Sequence, residues 1–239
     1  SIWTSLKEEL LNILKLPRRD LGQKRLAKSI LIMKDFGLVV IGAHFGVWLE
    51  DEISAYENQN ILLIEPVPYN YKILQKKFEN KININVCTNA IFSENKKEKF
   101  YFVKADSIPK LGKHWASGIG SFNKQHILNH RTKRFKIEEG DIENIEIDFI
   151  NFDRLIAKYE INSIDKLQID VEGAEFDILN SIDYKKIKIK NILFESKHFD
   201  GTFTEGEKLK TIKEKLISND YELSQIDNEN ILAKKLSLI

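Results

Sequence analysis

Several features are scarce in this sequence, and each scarcity excludes something. Its 239 residues contain one cysteine, Cys87, so neither a disulfide nor a cysteine-based metal site can form within one chain. No apolar run approaches the roughly 20 residues needed to span a bilayer. Charge of neither sign prevails: 37 basic residues face 36 acidic ones, for a net +1, so no global field steers the chain onto nucleic acid or an anionic membrane. Residues 1–17 (SIWTSLKEELLNILKLP) do not read as a signal peptide, because Lys7, Glu8 and Glu9 interrupt them and no small-residue cleavage site follows. These absences predict a soluble, cytoplasmic protein with no membrane insertion and no nucleic-acid partner. What is present is core material. At 42% hydrophobic content the chain can bury roughly 70% of its unfolded surface.

Two amphipathic segments open the chain. Ile2, Trp3, Leu6, Leu10, Ile13 and Leu14 recur at helical spacing up to Pro17, and a second helix runs from Asp20 to Asp35 with Gly37 as its stop. They read as helices covering the core, with dimerisation into a homodimer or a lid as the other readings. The period then changes. LVVI (38–41), NILLIEP (60–66) and ININVCTNAI (82–91) are apolar strands separated by the helices 46–58 and 67–80, the pattern of a parallel sheet covered on both faces. Residues 92–146 lack a core period except for KEKFYFV (97–103), which alternates like an exposed strand. IEIDFINF (145–152) is a strand and 153–159 a helix. IDKLQIDVEG (164–173) and KNILFES (190–196) are further parallel-type strands, with helices over 174–182 and 204–219. Residues 221–227 and 230–236 close as an antiparallel hairpin. The expectation is an N-terminal helical extension (1–36) and one α/β domain (37–239) carrying a loop-rich insertion (92–146).

GLVVIGAHFGVWLED (37–51) is the stretch that suggests chemistry. Open parallel sheets bind ligands at the carboxyl ends of their strands, and Gly42 lies at such an end. The middle glycine of a GxGxxG loop, which lets a pyrophosphate approach the backbone, is His44 here, and the lysine of a phosphate-binding GKS or GKT loop is missing. A diphosphate ligand is therefore disfavoured. Glu65 ends the second strand, 23 residues beyond Gly42, where a carboxylate can accept hydrogen bonds from both hydroxyls of a ribose. A glycine turn and a ribose carboxylate without phosphate contacts suit S-adenosylmethionine, with Asn89, Ala90 and Ile91 beside its adenine. The competing reading is a structural turn with an exposed Glu65.

From there the chain resembles the FkbM family of S-adenosylmethionine-dependent methyltransferases. The strongest match is IDKLQIDVEGAEFDIL (164–179), where Asp170, Val171, Glu172, Gly173 and Glu175 follow the family pattern and Gln168 replaces a usual lysine. IEPVPYNYKIL (64–74), NAIFS (89–93), SGIGSF (117–122), IDFINFDRL (147–155) and ILFESKHF (192–199) match in order. The resemblance implies a Rossmann-like sheet of seven strands, mostly parallel with an antiparallel C-terminal hairpin. It implies methyl transfer, with a hydroxyl of a sugar, glycan precursor or small metabolite as acceptor. In the family's opening motif, Asp-x-Gly-Ala-Asn-x-Gly, this chain has Val40 and His44 for the aspartate and asparagine. An acidic residue at position 40 would help hold the cofactor's ammonium, so Val40→Asp is expected to tighten binding. The same departure motivates the alternative reading, a catalytically weak or inactive scaffold on a methyltransferase fold.

The expected cofactor contacts are Gly42, Ala43, His44, Gly46, Glu65, Pro66, Asn89, Ala90, Ile91 and Asp170. Asp170 ends the fourth parallel-type strand and orients donor or acceptor, unless it merely caps the following helix. Glu195 and His198, three apart, are a candidate base pair or substrate clamp. His114, Trp115, Ser117, Ser121 and Glu172 are the expected acceptor contacts, although Trp115 also suits a core and Glu172 the start of a helix. His126, His130, Arg131, Lys133 and Arg134 read as a solvated basic loop, with anionic-acceptor binding as the other reading. Spacing alone supports no metal site.

Overall fold

A computed structural model describes residues 33–197, 199–200 and 205–236. The helices read over 1–32 and His198 lie outside the described residues.

The first strand, β1 (Lys34–Ile41), begins earlier than expected and takes up Asp35 and Gly37, which the sequence pattern assigns to a helix and its stop. Pairing decides this: Asp35 lies opposite Ser163, and its Oδ1 accepts bonds from Asn162 Nδ2 (2.8 Å) and Ser163 Oγ (2.6 Å). A 3-10 turn (Val47–Leu49) and α1 (Glu50–Ala55) lead to β2 (Asn60–Ile64), α2 (Pro68–Lys77) and β3 (Ile84–Cys87). Later come α5 (Phe152–Tyr159), β8 (Ile161–Ile169), α6 (Glu175–Ser181), β9 (Lys188–Glu195), α7 (Glu207–Ser218), β10 (Tyr221–Gln225) and β11 (Asn230–Lys235). The main sheet has the order β10-β11-β9-β8-β1-β2-β3, parallel from β9 to β3 and antiparallel in its last two strands. This is the expected Rossmann-like, seven-stranded architecture.

Its strands do not alternate because both faces are covered. Leu38, Val40, Ile61 and Leu63 pack with Leu49, Ile53 and Leu74 from α1, α2 and the preceding turn. Val39, Ile41, Leu62 and Ile64 point the other way, into the layer formed by α5, α6 and α7.

Two expectations need correction. Residues 82–91 are not one strand: β3 pairs with β2, whereas β4 (Ala90–Ile91) leaves the main sheet to pair with β7 (Ile142–Ile150). Nor is the insertion irregular. Besides β5 (Lys96–Val103), where a strand was expected over 97–103, it contains α3 (Ser107–Leu111), β6 (Gly120–Ser121) and α4 (Lys124–Asn129), and contributes to a second sheet ordered β4-β7-β5-β6. Short strands with one polar face carry little sequence signal. Ala90, Phe100, Phe102 and Phe149 from this sheet pack with Val67, just beyond the carboxyl end of β2.

Candidate functional site

The order of the main sheet reverses about β1, whose neighbours are β8 and β2. The loops after these strands and the second sheet enclose a cavity of about 230 Å³. Gly42, Ala43, His44, Glu65, Pro66, Ala90, Ile91, Trp115, Ser121, Asp170 and Glu172, all expected from sequence, line it.

The Gly42–Gly46 loop is built by its backbone. The amides of Gly42 and Ala43 both donate to the Ile64 carbonyl at 3.0 Å, and Gly46 donates back to Ala43 at 3.0 Å. Gly42 takes φ 91°, and His44 takes φ 50°, a left-handed conformation that histidine tolerates better than most residues. The turn aims the His44 amide at Glu65 Oε2 (2.8 Å), while Val67 N–H donates to Oε1 (2.9 Å). Glu65 is 4% exposed and fixed from both sides. The two oxygens offer about four acceptor sites between them, so the carboxylate keeps capacity for a ligand. Burial pushes this carboxyl up to about 7, against the bonds from Val67, His44 and Asn70.

His44 continues inward. Ser117 Oγ donates to the His114 carbonyl at 2.8 Å, so His44 Nε2, 2.6 Å from that oxygen, is the donor and Nδ1 carries the lone pair. Burial, then the charge of His114, lowers its pKa to about 4, so the ring is neutral at pH 7. Ser117 thus braces His44 and does not line the cavity; neither does His114. Gly46 and Asn89 are also off it. Asn89 bonds instead to Lys158 Nζ (2.6 Å) and the Asp148 carbonyl (3.1 Å).

Asp170 follows β8, and its amide donates to the Ile41 carbonyl at 3.0 Å. The helix after it has no side-chain cap, so Asp170 is not a capping residue. Its side chain is exposed to a walled space, where burial and then the charge of Glu172 raise it to about 6. Glu175 does the local structural work: it is buried, accepts from Val171 N–H at 3.0 Å, and is held well above the ordinary carboxyl range by burial. Glu195, at the end of β9, is 13% exposed in its side chain, 3.5 Å from Lys197, and off the cavity wall. Burial, then the charge of Asp170, raises it to about 7. The basic loop is not uniformly solvated. His126 and His130 both turn to Glu172, whose carboxyl burial would raise but the two rings hold down at about 2, whereas Arg131 reaches Glu138 at 3.6 Å.

Sequence reasoning missed Trp48, 73% exposed at the cavity and 6.1 Å from the His114 ring. It also missed Phe92, Phe100, Phe122, Phe149 and Gln168 on the wall. A tryptophan two residues after a cofactor-type loop was the available signal for Trp48; the phenylalanines carry none, because the second sheet alone places them.

A model of the methyltransferase FkbM domain matches residues 41–223. The chain belongs to the FkbM methyltransferase family. Its members use S-adenosylmethionine, and this chain is a methyltransferase of that kind. Among curated proteins none matches. Solved structures resemble the fold at low identity. The precorrin-6y C5,15-methyltransferase of Geobacter metallireducens is 12% identical, with 92% of this chain and 93% of that one covered and a TM-score of 0.40. Aeropyrum pernix fibrillarin with natively bound S-adenosyl-L-methionine is 12% identical over 89% of this chain and 74% of that one, TM-score 0.40. A SAM-dependent O-methyltransferase of Thermotoga maritima is 9% identical over 97% and 71%, TM-score 0.41. The family assignment rests on the domain match. Against the family motif, Val40 is 0% exposed and packed among Leu38, Ala43, Leu49 and Ile53, away from the cavity. The position expected to face the ammonium of the cofactor faces the core. Among the described residues no helix is long and apolar enough to cross a membrane.

Proposed function

We propose that this FkbM protein transfers a methyl group from S-adenosylmethionine to a hydroxyl of a sugar, glycan precursor or small metabolite. The observation that carries the proposal is the chemistry of the cavity wall. Among the described residues lining it are three carboxylates, Glu65, Asp170 and Glu172, and neither a lysine nor an arginine. Such a wall suits a ligand that is cationic and free of phosphate, as a sulfonium with an ammonium is. The residues present fit the cofactor. Glu65, oriented by two amides, is placed to accept from the ribose hydroxyls, and Ala90 and Ile91 border an apolar recess for the adenine.

The cofactor supplies a methyl carbon already activated by positive sulfur. The chain's own residues must align the acceptor and take up its proton, and alignment alone can supply several kcal/mol. Asp170 stands at the carboxyl end of β8, facing the cavity, as the group that orients donor or acceptor. Trp48 and Trp115 expose aromatic surface at the same cavity, a wall suited to the apolar face of a sugar ring.

Glu65→Ala is expected to weaken cofactor binding by roughly 100-fold, since hydrogen bonds to a charged group contribute about 1.5–3 kcal/mol each. Isothermal calorimetry reads this directly, and wild-type affinity in the variant would remove the ribose assignment. The wild-type protein carries a pH signature as well. Glu65 accepts best when ionised and titrates near 7. Cofactor affinity should therefore hold above pH 7 and fall by about tenfold per unit below it, with proton release on binding at low pH. A flat profile between pH 5 and pH 8 contradicts a binding role for the charged form. The acceptor class is tested by incubating the protein and cofactor with hydroxylated metabolites and glycans. Products heavier by one methylene on oxygen are the expected result, and N- or C-methylated products alone would refute it.

A further inference from the structure

Beside the cavity lies a cluster that methyl transfer does not require. His126, within α4, and His130, at its C-terminal cap, are four residues apart and share one helix face. Both rings turn to Glu172, in the turn between β8 and α6. His126 Nε2 lies 3.7 Å and His130 Nε2 3.4 Å from the same oxygen, Oε2. These distances are longer than an ordinary charge-assisted hydrogen bond, about 2.7–2.9 Å. They approach the edge of a tetrahedral metal site, which is about 3.3 Å for ligands bound at 2.0–2.1 Å. Glu172 Oε2 is buried and has no hydrogen-bond partner among the described residues.

We propose that His126, His130 and Glu172 hold a divalent transition-metal ion of the zinc class at the edge of the methyl-transfer cavity. One ligand atom from each lies within 4.8 Å of the others. A triangle of that size encloses a point within about 2.8 Å of all three corners, so side-chain rotations of under about 1 Å reach the 2.0–2.2 Å of metal–nitrogen and metal–oxygen bonds. Two imidazoles and one carboxylate select zinc, iron, cobalt or nickel over magnesium or calcium, which prefer all-oxygen shells. The backbone makes room for this convergence. A Cβ at Gly173 would stand 3.1 Å from His126 Cε1, so the glycine next to Glu172 admits the ring to the carboxylate. Three protein ligands leave at least one coordination position open, as catalytic zinc sites do. Glu172 lines the cavity, so an ion on it would stand at that wall. The inference is argued from these three side chains and meets the methyl-transfer reading only at Glu172, which belongs to the cavity wall as well.

The full-length protein, stripped with a chelator and returned to chelator-free buffer, is titrated with zinc and then with cobalt(II). We expect one saturable site per chain, a rise in melting temperature on zinc addition, and the visible absorption of a low-coordinate cobalt site with nitrogen and oxygen donors. Affinity should fall by more than about 100-fold, beyond the usual cost of losing an outer-sphere partner, in His126→Ala, His130→Ala and Glu172→Ala. His114→Ala serves as the control and should bind as wild type does. Absence of a one-equivalent site in the wild-type protein overturns the proposal. So does binding that persists unchanged in the three variants, which would place the ion elsewhere. Since the cobalt spectrum is recorded on the wild-type protein, a variant that fails to fold does not remove the test.

Discussion

Gly42→Ala should cost this protein roughly 3 kcal/mol or more of stability, although the residue is small and sits in a loop. Gly42 has φ 91°, and a Cβ built there would lie 1.8 Å from the backbone oxygen of Asp170. Left-handed backbone costs a non-glycine residue about 1–2 kcal/mol, and overpacking adds typically 1–3 kcal/mol. The obstructing atom cannot rotate away, since it belongs to the main chain where the Asp170 amide bonds to Ile41. For a chain of this size the loss corresponds to a fall in melting temperature of roughly 6–12 °C, readable by calorimetry or circular dichroism. Relief by movement would separate the ends of β1 and β8, on which the cavity floor depends, so cofactor affinity should fall in parallel. An alanine variant that melts and binds like wild type would show that the two strand ends do not approach this closely.

Val40→Asp is the second large effect, and its direction reverses what the family motif implies. An aspartate in that motif invites the expectation of a tighter grip on the ammonium. Here position 40 is sealed in an apolar cluster beneath α1. A carboxyl driven up by about 3 pK units through burial destabilises the fold by about 4 kcal/mol at neutral pH. The folded-state pKa is raised, so the penalty is absent below the unfolded value near 4, grows as pH rises, and levels above the folded value near 7. Thermal melts of the variant should therefore approach wild type in acid and diverge toward neutrality. A variant with wild-type stability at pH 8 and higher cofactor affinity would mean that the side chain reaches the cavity after all.

The reading of the main sheet from sequence succeeded where the signal was local. LVVI and NILLI are unbroken apolar runs because both of their faces are buried, and the closing hairpin alternates around Asn228-Glu229. It failed for 82–91, where one apolar stretch serves two sheets, and for most of 92–146, where the strand over 97–103 was legible but the two-residue strand Gly120–Ser121 and the short helices around it have no period to detect. In the site, glycine spacing and an acidic residue at a strand end located Gly42, Glu65 and Asp170, since register along parallel strands brings their ends together. Position in the insertion set Ser117, and strand-end or loop position set Asn89 and Gly46, among the expected ligand contacts. The structure shows them bracing His44, bonding to the second sheet and turning the loop.

From the sequence by itself come the α/β class, the succession of strands and helices that build the main sheet, and a cofactor loop unsuited to phosphate, because hydrophobic period and residue type act over short stretches. Only the tertiary structure decided that Val40 faces the core, that Trp48 joins the cavity, and that His126 and His130 meet a glutamate more than forty positions away. Those are matters of side-chain direction and closeness in space. Neither exists until the sheets have packed and the chain has returned upon itself.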